Sequence, residues 1–223
     1  MTVSDCPEYL SRRVAARFSG EEERIQRLQP YIQFIPQGES ILGNSKPTQK
    51  LAKQIAIAAA NTKPIIFQAQ SGTGKTFLAK QIHTHSELAN YSFAELNCAE
   101  LSHGEDGRLD TDILFGRVGK QAGIIALLGQ GTLLLDHVEV LGNSDRTRLL
   151  HYLKTGYILP NHGVMSPHQL STEPPQPVQS QVRLILASPT KLELPELDVI
   201  EIKLFTLTQR KAELTQSLER LSR

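Results

Sequence analysis

Eight residues carry the first recognisable chemistry in this sequence: AQSGTGKT, running Ala69, Gln70, Ser71, Gly72, Thr73, Gly74, Lys75, Thr76. They follow the phosphate-loop spacing G-x-x-x-x-G-K-[ST], with Ala69 in place of the first glycine. Gly72 and Gly74 free the backbone to turn its N–H groups inward around phosphate oxygens, at the positive end of a following helix. Lys75 adds a mobile point charge for the β- and γ-phosphates, and the Thr76 hydroxyl is placed to ligate magnesium. Ala69 falls at a strand end, where alanine fits. The bland alternative is a glycine-rich turn with a surface lysine, and it loses ground because the segment lies between a strand and a helix.

The second group is GTLLLDHVEV, residues 131–140. An apolar run ends in Asp136, as a buried strand does when it delivers a carboxylate to a phosphate site. Asp136 is therefore expected beside Thr76, reaching the cation through water. The two groups together predict a site for ATP or GTP with Mg2+, with Thr76 and Asp136 on the metal side. His137 follows where an ATP-hydrolysing machine usually carries a second acid. Glu139, two residues on, needs a different backbone path to replace it.

The elements that must position these groups alternate in kind. Pro47 suits the first turn of a helix whose apolar face is Leu51, Ile55, Ala58 and Ala59. Strands are expected at 65–70, 91–97, 131–136, 182–188 and 199–205. Helices are expected at 75–86 and 144–156, the latter capped by Ser144 or Asp145. This alternation predicts an α/β fold with a parallel sheet covered on both faces. Residues 7–30 read as two short amphipathic helices broken near Gly20, packed on the domain or serving as a partner-binding arm. Residues 160–181 hold five prolines and little apolar content, and read as a surface loop.

The whole chain constrains the setting. At 223 residues it has room for one large domain with a core, plus a small appendage. A net charge of +1 gives no overall field toward nucleic acid or an anionic membrane. Cys6 and Cys98 are far apart and form no metal-ligand pair, and the histidines show no zinc-ligand spacing with them. No signal-peptide core or membrane-length apolar run is present, so the expected setting is the cytoplasm.

At this point the sequence resembles a known family, the AAA+ ATPase domain of sigma-54-dependent transcription activators. ILGNSKPTQKLAKQI looks like that family's leading helix, and AQSGTGKT like its GESGTGKE/T loop. FAELNCAEL (93–101) resembles F-x-x-x-N-C-A-x-L, and DILFG (112–116) resembles E-L-F-G. GQGTLLLDHVEVL looks like G-G-T-L-F-L-D-E-I-x-x-L. The likeness is collinear from about Ile41 to Arg210. It implies a P-loop NTPase fold, an AAA+ core with a five-stranded parallel sheet between helices, binding ATP or ADP with Mg2+. On this reading residues 1–38 are an N-terminal helical extension and 39–207 the nucleotide-binding domain. Residues 208–223 start a helical lid that is otherwise largely absent, or form a C-terminal helix.

The departures from the family pattern concern hydrolysis and partner contact. His137 replaces the catalytic Glu, a change that costs about two to four orders of magnitude in rate. Asn97 matches the asparagine that acts as a switch through that Glu. Pro189 aligns with a polar residue that helps orient water. No arginine occurs from Leu184 to Gln209, where arginine fingers are expected, and the GAFTGA loop that grips sigma-54 is missing.

The leading expectation is a nucleotide-dependent regulatory or assembly module with weak or no hydrolysis. Its partner would be an unidentified protein or another copy meeting the AAA+ face. No direct sequence-specific DNA binding and no sigma-54 contact through a GAFTGA loop are expected. An active ATPase using His137 or Glu139 as base, remodelling a protein partner, and a scaffold that binds no nucleotide remain as alternatives.

Overall fold

The computed structural model describes residues 20–35, 46–103, 109–118, 121–161, 177–192, 194 and 197–204. The expectations for residues 1–19, for 162–176 of the proline-rich loop and for 208–223 fall outside the described residues.

Five strands, β1 (Ile65–Gln68), β2 (Ser92–Asn97), β3 (Gln130–Asp136), β4 (Gln181–Ser188) and β5 (Ile200–Lys203), form one parallel sheet. Their order across the sheet is β2-β3-β4-β1-β5. Successive side chains of a strand point to opposite faces, and here both faces are covered. Leu133, Leu135, Leu184 and Leu186 join one core, while Leu134, Ile185, Ile65 and Phe67 join the other. This is why the strands read as continuous apolar runs. Each such fully buried side chain stabilises the fold by about 1.5–3 kcal/mol. Gly131 (φ 133°) sits where β3 passes β2, and a Cβ there would lie 2.3 Å from the Ser92 carbonyl oxygen.

Helices α2 (Lys46–Ala59) and α3 (Lys75–Thr84) cover one face through Ile55, Ala58, Leu78 and Ile82. The other face is covered by α1 (20–28), α4 (Asp112–Phe115), α5 (Ile124–Leu128) and α6 (Asn143–Thr155). Residues 20–33 are packed on the domain. Leu28 is buried, Arg24 Nε donates to the Leu127 carbonyl at the end of α5 (2.6 Å), and Gln33 N–H donates to Phe93 of edge strand β2.

Two expectations are corrected. The cap of α6 is neither Ser144 nor Asp145. The N-cap is Gly142, without a side-chain cap, because the helix begins at Asn143 and the Asp145 carboxylate accepts from the Thr111 hydroxyl (3.0 Å). The proline-rich loop is also shorter than 160–181, since Val178–Gln179 pairs antiparallel with Tyr157–Ile158 and β4 begins at Gln181. Between α4 and α5 the chain turns back through a two-residue ribbon, Gly116–Arg117 against Gln121–Ala122.

Candidate functional site

Parallel pairing puts the carboxyl ends of β1, β3 and β4 on one edge of the sheet, so residues 69–76, 136–140 and 188–190 meet there. Gly72 and Gly74 have φ of 75° and 87°. A Cβ on either would meet nothing within 4 Å, so conformation rather than space asks for glycine. Ala69 is buried, and its N–H donates to the Ser188 carbonyl (2.9 Å) as a continuation of the sheet. Its φ is not positive, which explains why alanine serves at this position. Gln70 and Ser71 are exposed, and the Thr73 hydroxyl closes the loop by donating to the Gln70 carbonyl (2.8 Å).

Lys75 and Asp136 are brought together. The ammonium lies 3.1 Å from Asp136 Oδ2 and 3.4 Å from the Gln70 carbonyl, with the two side chains only 7% and 15% exposed. Asp136 Oδ1 accepts the His137 N–H (2.9 Å). The Thr76 hydroxyl finds a partner the sequence reading did not name: it donates to Glu95 Oε1 on β2 (2.7 Å). The available signal was period-two alternation, which sets Glu95 on the same strand face as the buried Phe93 packed against α3.

The hydrolytic positions are arranged differently. His137 is the one non-glycine residue with positive φ among the described residues (φ 55°, ψ 44°). That left-handed step starts the short 3-10 helix Val138–Val140 and brings His137 Nδ1 to 2.9 Å from Glu139 Oε1. That left-handed residue sets the path by which Glu139 reaches the His137 ring. Asn97 is the register partner of Asp136, yet its side chain is occupied locally. Its Oδ1 accepts from Ala99 N–H (3.1 Å) and its Nδ2 donates to Glu100 Oε1 (2.7 Å), capping the 3-10 helix Cys98–Glu100. Pro189 is exposed at the end of β4, and beside it the Thr190 N–H donates to the buried Ser188 hydroxyl (3.2 Å). Cys98 lies beneath, fully buried. Burial first, then the charges of Asp136 and Glu139, push its thiol up to about 12, so it stays protonated and unreactive.

The chain is similar to known proteins in sequence and in fold. The profile of the family described as "Sigma-54 interaction domain" matches residues 41–194. A Nif-specific regulatory protein of Rhizobium etli is 30% identical over 125 residues, covering 53% of this chain and 21% of that protein. The anaerobic nitric oxide reductase transcription regulator NorR of Klebsiella pneumoniae is 30% identical over 142 residues, covering 62% of this chain and 28% of that one. The chain therefore spans well under half the length of these regulators. Among solved structures, NtrX from Brucella abortus in complex with ADP aligns with a TM-score of 0.58 at 20% identity, over 87% of this chain and 42% of that one. At that identity the likeness is one of fold.

Proposed function

The chain belongs to the sigma-54 interaction domain family, and from that membership we propose that it binds ATP or ADP with Mg2+ and acts as a nucleotide-dependent regulatory or assembly module with weak or no hydrolysis. The observation that carries this reading is the 3.1 Å approach of Lys75 to Asp136 across the phosphate loop. A buried ammonium, two left-handed glycines leading into α3 and a carboxylate at a strand end suit a polyphosphate and its cation. Lys75 would move from Asp136 to the phosphate oxygens, leaving Asp136 to the metal side with Thr76. Among the described residues no three His, Cys, Asp or Glu side chains cluster to hold a metal alone, so these two would hold Mg2+ jointly with phosphate. A bound Mg2+ supplies charge neutralisation between the phosphates. The fold relative NtrX is known in complex with ADP and with ATP, which supports the nucleotide assignment.

Weak or absent turnover is supported by the hydrolytic positions. The residue after Asp136 is His137 rather than an acid, and Asn97 is bonded within its own 3-10 helix, which leaves the switch position without its expected carboxylate partner. We assign the module to transcription regulation in the cytoplasm, with a protein partner or a second copy on the AAA+ face and no contact through a GAFTGA loop. Calorimetric titration with ATP and ADP, run beside a phosphate-release assay, tests the reading. Tight binding with near-background release is expected. Release at the rate of an active relative would sink it, and so would failure to bind either nucleotide.

A second reading rests on the His137–Glu139 pair. A carboxylate at Nδ1 fixes the ring so that Nε2 is the free lone pair, which is the arrangement a general base needs. On this reading turnover survives and collapses in both Lys75→Ala and His137→Ala. Equal turnover in His137→Ala and the parent would dismiss it.

A further inference from the structure

Glu95 is the charged group at the site that the phosphate-loop pattern does not explain. Its carboxylate can only accept, so in the 2.7 Å contact the Thr76 hydroxyl donates its single proton to Glu95 Oε1. Both lone pairs of Thr76 Oγ1 are then left for a cation. The backbone that carries it is held on both sides: Glu95 lies inside β2, opposite Leu134 of β3, and its N–H donates to the Tyr31 carbonyl (2.9 Å). The charge of Asp136 is matched by Lys75, whereas Glu95 has no ion-pair partner among the described residues. A half-buried anion without a cation, bonded to the hydroxyl that would ligate magnesium, is the usual character of an outer-sphere metal partner.

Building on the nucleotide reading above, we propose that Glu95 is a positioning carboxylate of the magnesium site, orienting Thr76 Oγ1 and making nucleotide binding depend on the divalent cation. Its two effects have opposite signs. With Mg2+ present, Glu95 adds negative charge behind the Thr76 hydroxyl and raises cation affinity. Without Mg2+, the same charge repels the polyphosphate. Outer-sphere partners of this kind change metal affinity by about 10- to 100-fold. One screened unit charge several ångströms from the phosphates changes metal-free affinity by roughly 2- to 5-fold.

The test is calorimetry on the full chain with a non-hydrolysable ATP analogue, in EDTA and across a Mg2+ series, for the parent, Glu95→Gln and Glu95→Ala. Glu95→Gln keeps an acceptor for the Thr76 proton and its size, so it keeps the fold and loses only the charge. The expected result is metal-free binding tighter by roughly 2- to 5-fold together with a Mg2+ enhancement reduced about 10-fold or more. Thr76→Val should reduce the enhancement in the same way, and adding Glu95→Gln to it should change the enhancement little. An enhancement equal to the parent's in both Glu95 variants overturns the proposal. So does a parallel loss of metal-free and Mg2+-dependent binding, the mark of a merely structural residue, or independent losses in the double variant. If the parent binds no analogue under either condition, the nucleotide reading itself fails and this inference goes with it.

Discussion

The two edges of the central sheet both gather charged and polar side chains, but they leave them in different states. At the carboxyl edge Lys75 pairs with Asp136 and Thr76 with Glu95, and all four keep valences to spare. Lys75 has three donors, and Asp136 is matched by one ammonium and one amide. At the amino edge two buried polar side chains, Arg183 and His83, are bonded to the protein's own carbonyl and hydroxyl groups. Arg183 donates to the Ala58 carbonyl in the last turn of α2 (2.6 Å) and to the Lys63 carbonyl in the segment leading to β1 (3.0 Å), and burial lowers its pKa to about 10. His83 bridges the Thr132 hydroxyl (2.8 Å) and the Tyr91 carbonyl (3.1 Å). A cleft of about 440 Å³ lies on this edge too, lined in part by Asn61, Glu87, Tyr152 and Arg183. Shifted pKa values and a cleft usually point to function. Here they accompany groups bonded to backbone carbonyls, and the proposed nucleotide site lies at the opposite edge, where Lys75 faces Asp136 across the loop.

The largest expected effect separates the edges by ligand. Lys75→Ala should weaken binding of an ATP analogue by about 100-fold or more, since it removes a charge-assisted contact to phosphate. Folding stability should move by no more than about 2 kcal/mol, because Asp136 keeps the His137 N–H and reaches water. Calorimetry paired with urea denaturation reads both. A large stability loss with intact binding would erase the distinction between the edges.

Arg183→Met should give the mirror image. The buried Ala58 carbonyl of α2 and the part-buried Lys63 carbonyl beyond it lose their donor, for a loss of about 2–4 kcal/mol in urea denaturation. Analogue affinity of the folded fraction should stay within about 2-fold, given that no groups are shared with the phosphate loop.

A smaller effect tests strain within the carboxyl edge. His137 holds φ 55° at a cost that glycine does not bear. Glycine and alanine both delete the ring and its bond to Glu139, so their difference isolates the backbone. His137→Gly should be more stable than His137→Ala by about 1 kcal/mol, measured by chemical denaturation. Equal stabilities would mean that the loop relaxes around this residue.

Sequence reading reached one part of the site more easily than the other, for a physical reason. The phosphate loop is encoded locally: Gly72, Gly74, Lys75 and Thr76 take their places from backbone geometry alone. Strand β3 is equally plain, because a strand buried on both faces must be apolar at Leu133, Leu134 and Leu135 together. The side-chain pairings were not legible. Glu95 meets Thr76 through the packing of α3 on β2, a contact between residues 19 apart. Asp145 looked like a helix cap and was drawn to Thr111, 34 residues away. Glu139 meets His137 only through a left-handed residue, a conformation no periodicity announces.

The smallest effect concerns protons at the amino edge. The Tyr91 carbonyl can only accept, so neutral His83 carries its proton on Nε2 and receives the Thr132 hydroxyl proton at Nδ1. Burial lowers the His83 pKa below the ordinary imidazole value, and the bond to Tyr91 offsets only part of that shift. The unfolded chain therefore binds the proton more readily than the folded one. The contribution of His83 is complete above about pH 6.5 and declines as pH falls from there through the lowered folded value. Glutamine can donate to Tyr91 and accept from Thr132 without titrating. Urea denaturation at pH 8 and at steps down through pH 6 should show a shallower acid-side decline in His83→Gln than in the parent. Analogue affinity should be unchanged at every pH where both are folded. A decline of equal slope in the two proteins would assign the acid sensitivity elsewhere, and a change in affinity would tie the amino edge to the site.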